Sequence, residues 1–437
     1  MSRVIAGMNW HELYSFASKQ ALLGLCFEGI ERLGKEYPEE LKQNPIGREL
    51  LMTWMGKAQQ IRRQNMKVNA VAGKLFSMLR EDGLRCCILK GQGNALMYLN
   101  PYSRTPGDID VWVNASREDI TKYAKHHFEI GDDIRFHHLE TSFDGVPVEL
   151  HFFPCTMNNP IHNARLQKWF KRNADLQCSN VVSLPDGIGE IAIPTTAFNV
   201  VYQLTHLYHH FFDEGIGMRQ IIDYFLVVND FSKNVFLDTD FSNHPVNFSN
   251  HPVPLSKEGS TFSPSPSSSG SGDVTALRCS EPLRSKVGGA SKPSPNCAGW
   301  DRLSIEGDNS AGSATAVTSS ASTALVVVQR ELKYLGLWKF AGAVMFVLKE
   351  VLGLSEDKMI VPVDEKRGRL LLAEILNGGN FGKHFTKYGG FTHQSMGKKY
   401  FLKIWRNMHF VRYYPAEALC EPIFRTWHFF WRMKNKK

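Results

Sequence analysis

The chain is poor in cysteine, has no long apolar run and carries no large excess of either charge. Its eight cysteines in 437 residues form neither a C-x-x-C pair nor a compact framework, which excludes a disulfide-built scaffold. Adjacent Cys86 and Cys87 would face opposite sides of a strand. All eight are expected to be reduced thiols, and the expected location is cytoplasmic. No stretch approaches the ~20 apolar residues of a membrane span. The opening M-S-R-V-I-A-G-M-N-W-H-E lacks the apolar core of a signal peptide. A formal net charge of +8 suits phosphorylated or otherwise anionic ligands and equally describes an ordinary basic surface. At 43% hydrophobic the chain can build a sizeable core larger than one ordinary domain.

Residues 1–83 read as helical. Leu13, Phe16, Ala17, Ala21 and Leu22 recur at helical spacing, and Ile46 to Leu79 forms a second, longer amphipathic set. Residues 84–194 read as a small mixed sheet, because no repeated strand-helix alternation is present to build a doubly wound one. Asp119 to Phe128 reads as a helix, and Val181–Leu184 with Glu190–Ile193 as a strand pair around Pro185-Asp186-Gly187. Helical patterning returns over 195–230. In that segment His206 and His210 share a stripe, and Arg219 and Asp223 sit at i, i+4, a spacing suited to an ion pair or a substrate-orienting pair. Composition then changes. Phe241 to Asn247 is repeated almost unchanged as Phe248 to Pro254, and the chain stays rich in Ser, Gly, Pro and Thr to about Ala324. Residues 231–324 are therefore expected to be a disordered insertion, and 325–437 the second half of a C-terminal helical region. The fold class is α+β with flanking helices.

The organising stretch is Ser103 to Val113, S-R-T-P-G-D-I-D-V-W-V. Pro106-Gly107 punctuates a turn, after which Ile109, Val111 and Val113 alternate with Asp108 and Asp110. Two carboxylates about 6.6 Å apart along one strand face repel unless a cation lies between them, and a hard divalent ion resolves the conflict. Upstream, the apolar run Cys86–Leu89 leads into Lys90-Gly91-Gln92-Gly93 and then Asn94–Leu99, which has helix-forming composition. A strand, a glycine turn and a helix start offer backbone N–H groups to a phosphate. Downstream, Asp144-Gly145 marks a hairpin. In its second strand Glu149 and His151 share one face, so a third carboxylate rises beside the pair. The remaining histidines here, His126, His127, His137, His138 and His162, read as surface or hydrogen-bonded side chains.

The glycine turn, G-D-I-D and V-E-L-H together resemble the polymerase-β-like nucleotidyltransferase superfamily. Taken with L-K-G, a later H-L-x-H-H and N-G-G-N-F-G at Asn377–Gly382, they look like an uncharacterised bacterial nucleotidyltransferase family, over most of the chain apart from the insertion. Where the superfamily usually carries Gly-Ser or Gly-Gly, this chain has Gly91-Gln92. The resemblance implies metal ligation and catalysis by Asp108, Asp110 and Glu149, with Mg²⁺ or Mn²⁺. It implies nucleotide binding by Lys90, Gly91, Gln92, Arg104, Gly107 and His206. A nucleoside triphosphate would donate its nucleoside monophosphate to an unidentified hydroxyl or phosphate acceptor, sugar-linked by association with surface-polysaccharide metabolism.

Two other readings use the same residues. A nucleotide-sugar-dependent glycosyltransferase also binds metal-diphosphate through Asp-x-Asp, but it needs an alternating strand-helix domain where this chain reads as helices. A non-catalytic nucleotide-binding module would keep the fold without the chemistry. Asn377–Gly382 is a glycine-rich turn suited to touching phosphate, but it lacks the strand-turn-lysine context of a P-loop, and its plain reading is a loop ending a helix. The tail from Lys398, with Tyr400, Trp405, Arg412, Trp427, Phe429, Trp431 and Lys434, suits peripheral contact with an anionic surface as well as a docked amphipathic helix.

Overall fold

The computed structural model describes residues 2–237, 311–385 and 395–435. Most of the expected insertion lies outside the described residues. Where its ends are described they are helical.

Five strands form one mixed sheet: β1 (Cys86–Leu89), β2 (Ile109–Val113), β3 (Glu129–Ile134), β4 (His138–Phe143) and β5 (Val146–His151), in the order β1-β2-β5-β4-β3. β2 and β5 run parallel, and the other neighbours are antiparallel. Asp144 and Gly145, with φ of 48° and 67°, close the β4–β5 hairpin with the left-handed pair that matches strand twist. β3 was not expected. Its E-I-G-D-D-I sequence carries a glycine and two aspartates that mask the strand pattern, and its register with β4 shifts between Ile130 and Ile134. β6 (Val181–Ser183) and β7 (Glu190–Ala192) make a separate ribbon.

Among the described residues the helices are α1 (Ser2–Ala6), α2 (Trp10–Lys19), α3 (Leu23–Glu36), α4 (Pro38–Gln43), α5 (Arg48–Glu81), α6 (Gly91–Ala95), α7 (Arg117–His127), α8 (Pro160–Ser179), α9 (Thr196–Asp213), α10 (Met218–Leu237), α11 (Ala311–Tyr334), α12 (Trp338–Leu352), α13 (Glu365–Gly378), α14 (Met396–Met408), α15 (Pro415–Ala418) and α16 (Glu421–Asn435). The helix expected from Asn94 to Leu99 is instead the five-residue α6, which starts at Gly91.

Period-2 patterning sorts the sheet's two faces. Ile88, Ile109, Val111, Val148 and Leu150 pack with Val71, Leu75 and Leu79 of α5 and Ile120 of α7. On the other face Cys87, Leu89 and Trp112 join α8 and α9, where Trp112 meets the rings of Phe170 and Phe198 at 6.0 Å each. Cys86 and Cys87 thus enter opposite cores. The second face is extended by α12, whose Phe340 to Leu348 are buried throughout. Phe340 packs on Tyr208 and Phe211 of α9. The C-terminal half therefore completes the core around the helix that borders the acidic strand.

Candidate active site

Asp110 is paired in register with Leu89 of β1 on one side and with Glu149 of β5 on the other. Because β2 and β5 are parallel and in step, the side chains of Asp110 and Glu149 rise from the same face. Asp108 precedes β2 by one residue and lies at the pocket mouth. His151, two residues beyond Glu149 and so on the same face, links buried Asp110 to half-buried Glu149: its Nε2 donates to Asp110 Oδ1 at 3.0 Å and lies 3.2 Å from Glu149 Oε2. His138 Nδ1 is also 3.2 Å from Glu149 Oε2. Of the reading of His138 as a surface or hydrogen-bonded histidine, the surface half is corrected here, since β4 sits next to β5 and buries it beside the acid.

Lys90 faces the cluster from the other side. Its Nζ lies 3.1 Å from Asp110 Oδ1 and donates to His206 Nε2 at 2.8 Å. The Lys90 backbone has φ 54° and ψ −126°, a conformation that costs a non-glycine residue of order 1–3 kcal/mol. The ion pair holds it there.

The electrostatics follow from this packing. Asp110, with burial and Glu149 adding to it, pushes the Asp108 carboxyl up to about 7. At Asp110 burial favours the neutral acid, but Lys90 and the His151 hydrogen bond outweigh it and hold the group well below the usual carboxylate range. Burial likewise opposes the Lys90 charge, and Asp110, Asp108 and Glu149 reverse the effect. His151 is pushed up to about 9: burial is overcome by its hydrogen bonds to Asp110 and Glu149. Burial and the charge of His151 drive His138 down to about 3. Near neutrality the site thus holds cationic Lys90 and His151, anionic Asp110 and Glu149, and neutral His138.

A recess opens beside these groups, lined in part by Lys90, Gly91, Gly107, Asp108, Asp110 and His206. Arg104 borders it too, but both nitrogens it presents to Asp223 are bonded at 2.8 Å, and Tyr98 Oη donates to the same carboxylate at 2.8 Å. Asp223 therefore pairs with Arg104, not with Arg219. Asn65 of α5 fixes this loop by donating to the carbonyls of Tyr102 and Arg104 at 3.0 and 2.7 Å. Gln92 is 1% exposed and is not part of the lining.

The family model described as "Uncharacterised nucleotidyltransferase" matches residues 6–241, more than half of the chain. The chain belongs to this family of uncharacterised nucleotidyltransferases. An antigenic nucleotidyltransferase-like protein from Paracoccidioides brasiliensis is similar in structure, with a TM-score of 0.25 and 17% sequence identity over 37% of this chain and 75% of that one. No curated protein matches it in sequence.

Two walls of this nucleotidyltransferase's recess come from segments that the sequence offered only as alternatives, Arg219 as half of a substrate-orienting pair and the Asn377–Gly382 turn as a phosphate contact. Arg219 donates to the Thr105 carbonyl through Nη1 at 2.9 Å, and its buried Nε has no partner. Phe381, from N-G-G-N-F-G, reaches the same recess with its ring 5.8 Å from the Arg219 guanidinium. The loop is seated by glycine. Gly382 has φ +63°, and a Cβ there would stand 1.9 Å from the Glu214 carbonyl. The glycine run was a visible signal, but its target lay more than 150 residues upstream.

Proposed function

We propose that this protein transfers a nucleoside monophosphate from a nucleoside triphosphate to an acceptor hydroxyl, using Mg²⁺ or Mn²⁺. The observation that carries the reading is the in-step pairing of Asp110 with Glu149, with Asp108 two residues before Asp110 beside the same recess.

The donor set fits a divalent cation. Carboxylate oxygens suit a hard ion, and Asp110 and Glu149 bring carboxylate oxygens within 4.8 Å of each other. The raised Asp108 carboxyl marks a surplus of negative charge that such an ion relieves. Asp108, Asp110 and Glu149 are the residues to hold it. When bound it supplies charge that stabilises the attacking and leaving oxygens of an in-line displacement.

The chain's own groups do the rest. Lys90 and Arg219 face the triphosphate and balance the charge that grows on departing pyrophosphate. Gly91 and Gly107 leave room for phosphate oxygens, Arg104 holds the loop through Asp223, and Phe381 offers a ring to the base. His206 orients Lys90. The acceptor oxygen bonds to the α-phosphorus, the bond to the β-phosphate oxygen breaks, and the hydroxyl proton passes to Glu149.

The sheet order gives no support to the glycosyltransferase alternative, since among the described residues the only parallel pair is β2–β5. The test is product analysis with each of four nucleoside triphosphates, Mg²⁺ or Mn²⁺, and pooled acceptors. Pyrophosphate release that disappears in Asp108→Ala and Asp110→Ala is the expected result. Release of nucleoside diphosphate from nucleotide sugars would support the alternative, and nucleotide binding without turnover would favour a non-catalytic module.

The C-terminal helices are the surface for peripheral contact with anionic lipid. Phe401, Trp405 and Met408 of α14 and Ile423, Phe430 and Met433 of α16 are exposed, alongside exposed Lys398, Arg412 and Lys434. No described helix is long and apolar enough to cross a membrane. The six described cysteines are free, which supports a reducing, cytoplasmic setting.

A further inference from the structure

Beside the acidic residues assigned to the Mg²⁺ or Mn²⁺ ion, the open end of the β4–β5 hairpin gathers three imidazoles. His138 and His151 are register partners across the two strands, so their side chains leave the sheet next to each other on one face. His137 joins them from the residue before β4. The His137 ring is 4.3 Å from that of His138 and 5.6 Å from that of His151, and the His138 and His151 rings are 5.0 Å apart. Each of the three offers a ring nitrogen within 4.8 Å of those offered by the other two. A tetrahedral ion with Zn–N bonds of about 2.0–2.1 Å holds its ligand atoms about 3.3 Å apart, so small side-chain rotations close the set.

Two of the rings are already prepared as ligands. His138 and His151 are each 3% exposed, and His138 Nε2 and His151 Nδ1 have no hydrogen-bond partner. The opposite nitrogen of each lies against a carboxylate: His151 Nε2 is 3.0 Å from Asp110 Oδ1, and His138 Nδ1 is 3.2 Å from Glu149 Oε2. Metal-binding imidazoles are held in this way, one nitrogen on the ion and the other on a carboxylate. A buried ring nitrogen without a partner is costly, and a cation that takes its lone pair removes the cost. Three nitrogen donors suit a borderline ion such as Zn²⁺ better than Mg²⁺. His137 is half-buried and lines a recess of about 80 Å³, room for the water that completes a three-histidine site. Arg135 brings a positive charge to this end of the hairpin, and Glu140 balances it at 3.1 Å.

We propose that His137, His138 and His151 bind a Zn²⁺ ion, separate from the ion held by Asp108, Asp110 and Glu149. The Zn²⁺ takes the place of the Nδ1 proton of His151, which leaves to solvent, while Nε2–H stays on Asp110. It ties β4 to β5 at the end of the hairpin opposite the Asp144-Gly145 turn, and so steadies Glu149, two residues before His151. The site depends on the imidazoles and not on nucleotidyl transfer.

Calorimetry and X-ray absorption on the full chain, stripped with a chelator and titrated with Zn²⁺ in excess Mg²⁺, test the proposal. One equivalent of Zn²⁺ should bind, with three imidazoles in its absorption spectrum, and should raise the melting temperature. His137→Ala, at a half-buried position, should weaken Zn²⁺ binding at least about tenfold and remove that rise, while Mg²⁺ affinity changes less than twofold. Asp108→Asn should leave Zn²⁺ affinity within threefold. Zn²⁺ binding unmoved by His137→Ala, or a spectrum with fewer than three imidazoles, overturns the assignment. So does Zn²⁺ that excess Mg²⁺ displaces or that Asp108→Asn abolishes, since it would then occupy the acidic site. Zn²⁺ bound as expected with no nucleotide turnover upholds this site and removes only the transfer reading.

Discussion

Lys90 Nζ stands 3.1 Å from Asp110 Oδ1, an ion pair anchored on one side by a backbone in a strained, positive-φ conformation and on the other by a buried strand. Both charge and strain are testable at this one position. Lys90→Met and Lys90→Gly should each lower kcat/KM by about 10²–10³. Urea unfolding should show Lys90→Gly more stable than Lys90→Met by about 1 kcal/mol, because glycine relieves the backbone cost. Equal stability of the two would mean that the turn is not strained.

Asp108 gives a pH signature. Its carboxyl is raised to about 7 by Asp110 first, then by burial and Glu149. A folded-state value above the unfolded one means extra proton uptake on folding, so the contribution to stability is full below about pH 4 and is lost as pH rises through 7. With a chelator present, the melting temperature of the wild type should fall between pH 5 and pH 8, and Asp108→Asn should flatten that slope. Divalent-ion affinity should rise with pH across the same window, because the ion competes with the proton.

The two arginines beside the recess should separate cleanly. Arg104→Met strands Asp223 in the core and is expected to cost about 3–5 kcal/mol in chemical unfolding. Arg219→Met loses one hydrogen bond to a carbonyl, about 1 kcal/mol. It should, however, weaken triphosphate binding at least tenfold by calorimetry. The reverse pattern would make Arg104 the phosphate contact.

Vesicle sedimentation checks the C-terminal surface. Vesicles rich in anionic lipid should retain the protein at low salt and release it as salt rises. The double variant Trp405→Ala/Phe430→Ala should bind at least fivefold more weakly. Equal retention on neutral vesicles would show that charge plays no part.

The acidic face was legible in sequence because it depends on local rules. Asp108 and Asp110 alternate with Ile109 and Val111, and Glu149 with Val148 and Leu150, so a period of two already assigns each to a side of its strand. The Asp144-Gly145 turn located the hairpin for the same reason. What escaped was long-range or weakly patterned. β3 hid behind Gly131, and the burial of His138 depends on which strand neighbours β5, a pairing that alternation does not encode. Asp223 has arginines at both Arg104 and Arg219 within reach, and helical spacing pointed to the nearer in sequence. Folding chose the one that could bind both carboxylate oxygens.

The segment matched by the family model ends at residue 241, yet α12, wholly downstream of it, fills the core around α9. A fragment cut at the match boundary would expose Tyr208, Phe211 and Phe212 where Phe340, Phe410 and Tyr414 now cover them. Expressed alone, it should be sticky and prone to aggregate, with every acidic side chain present and no shape to hold them. Homology here marks inheritance, not an independently folding piece, and anyone trimming the gene for crystals or screens has to keep both halves.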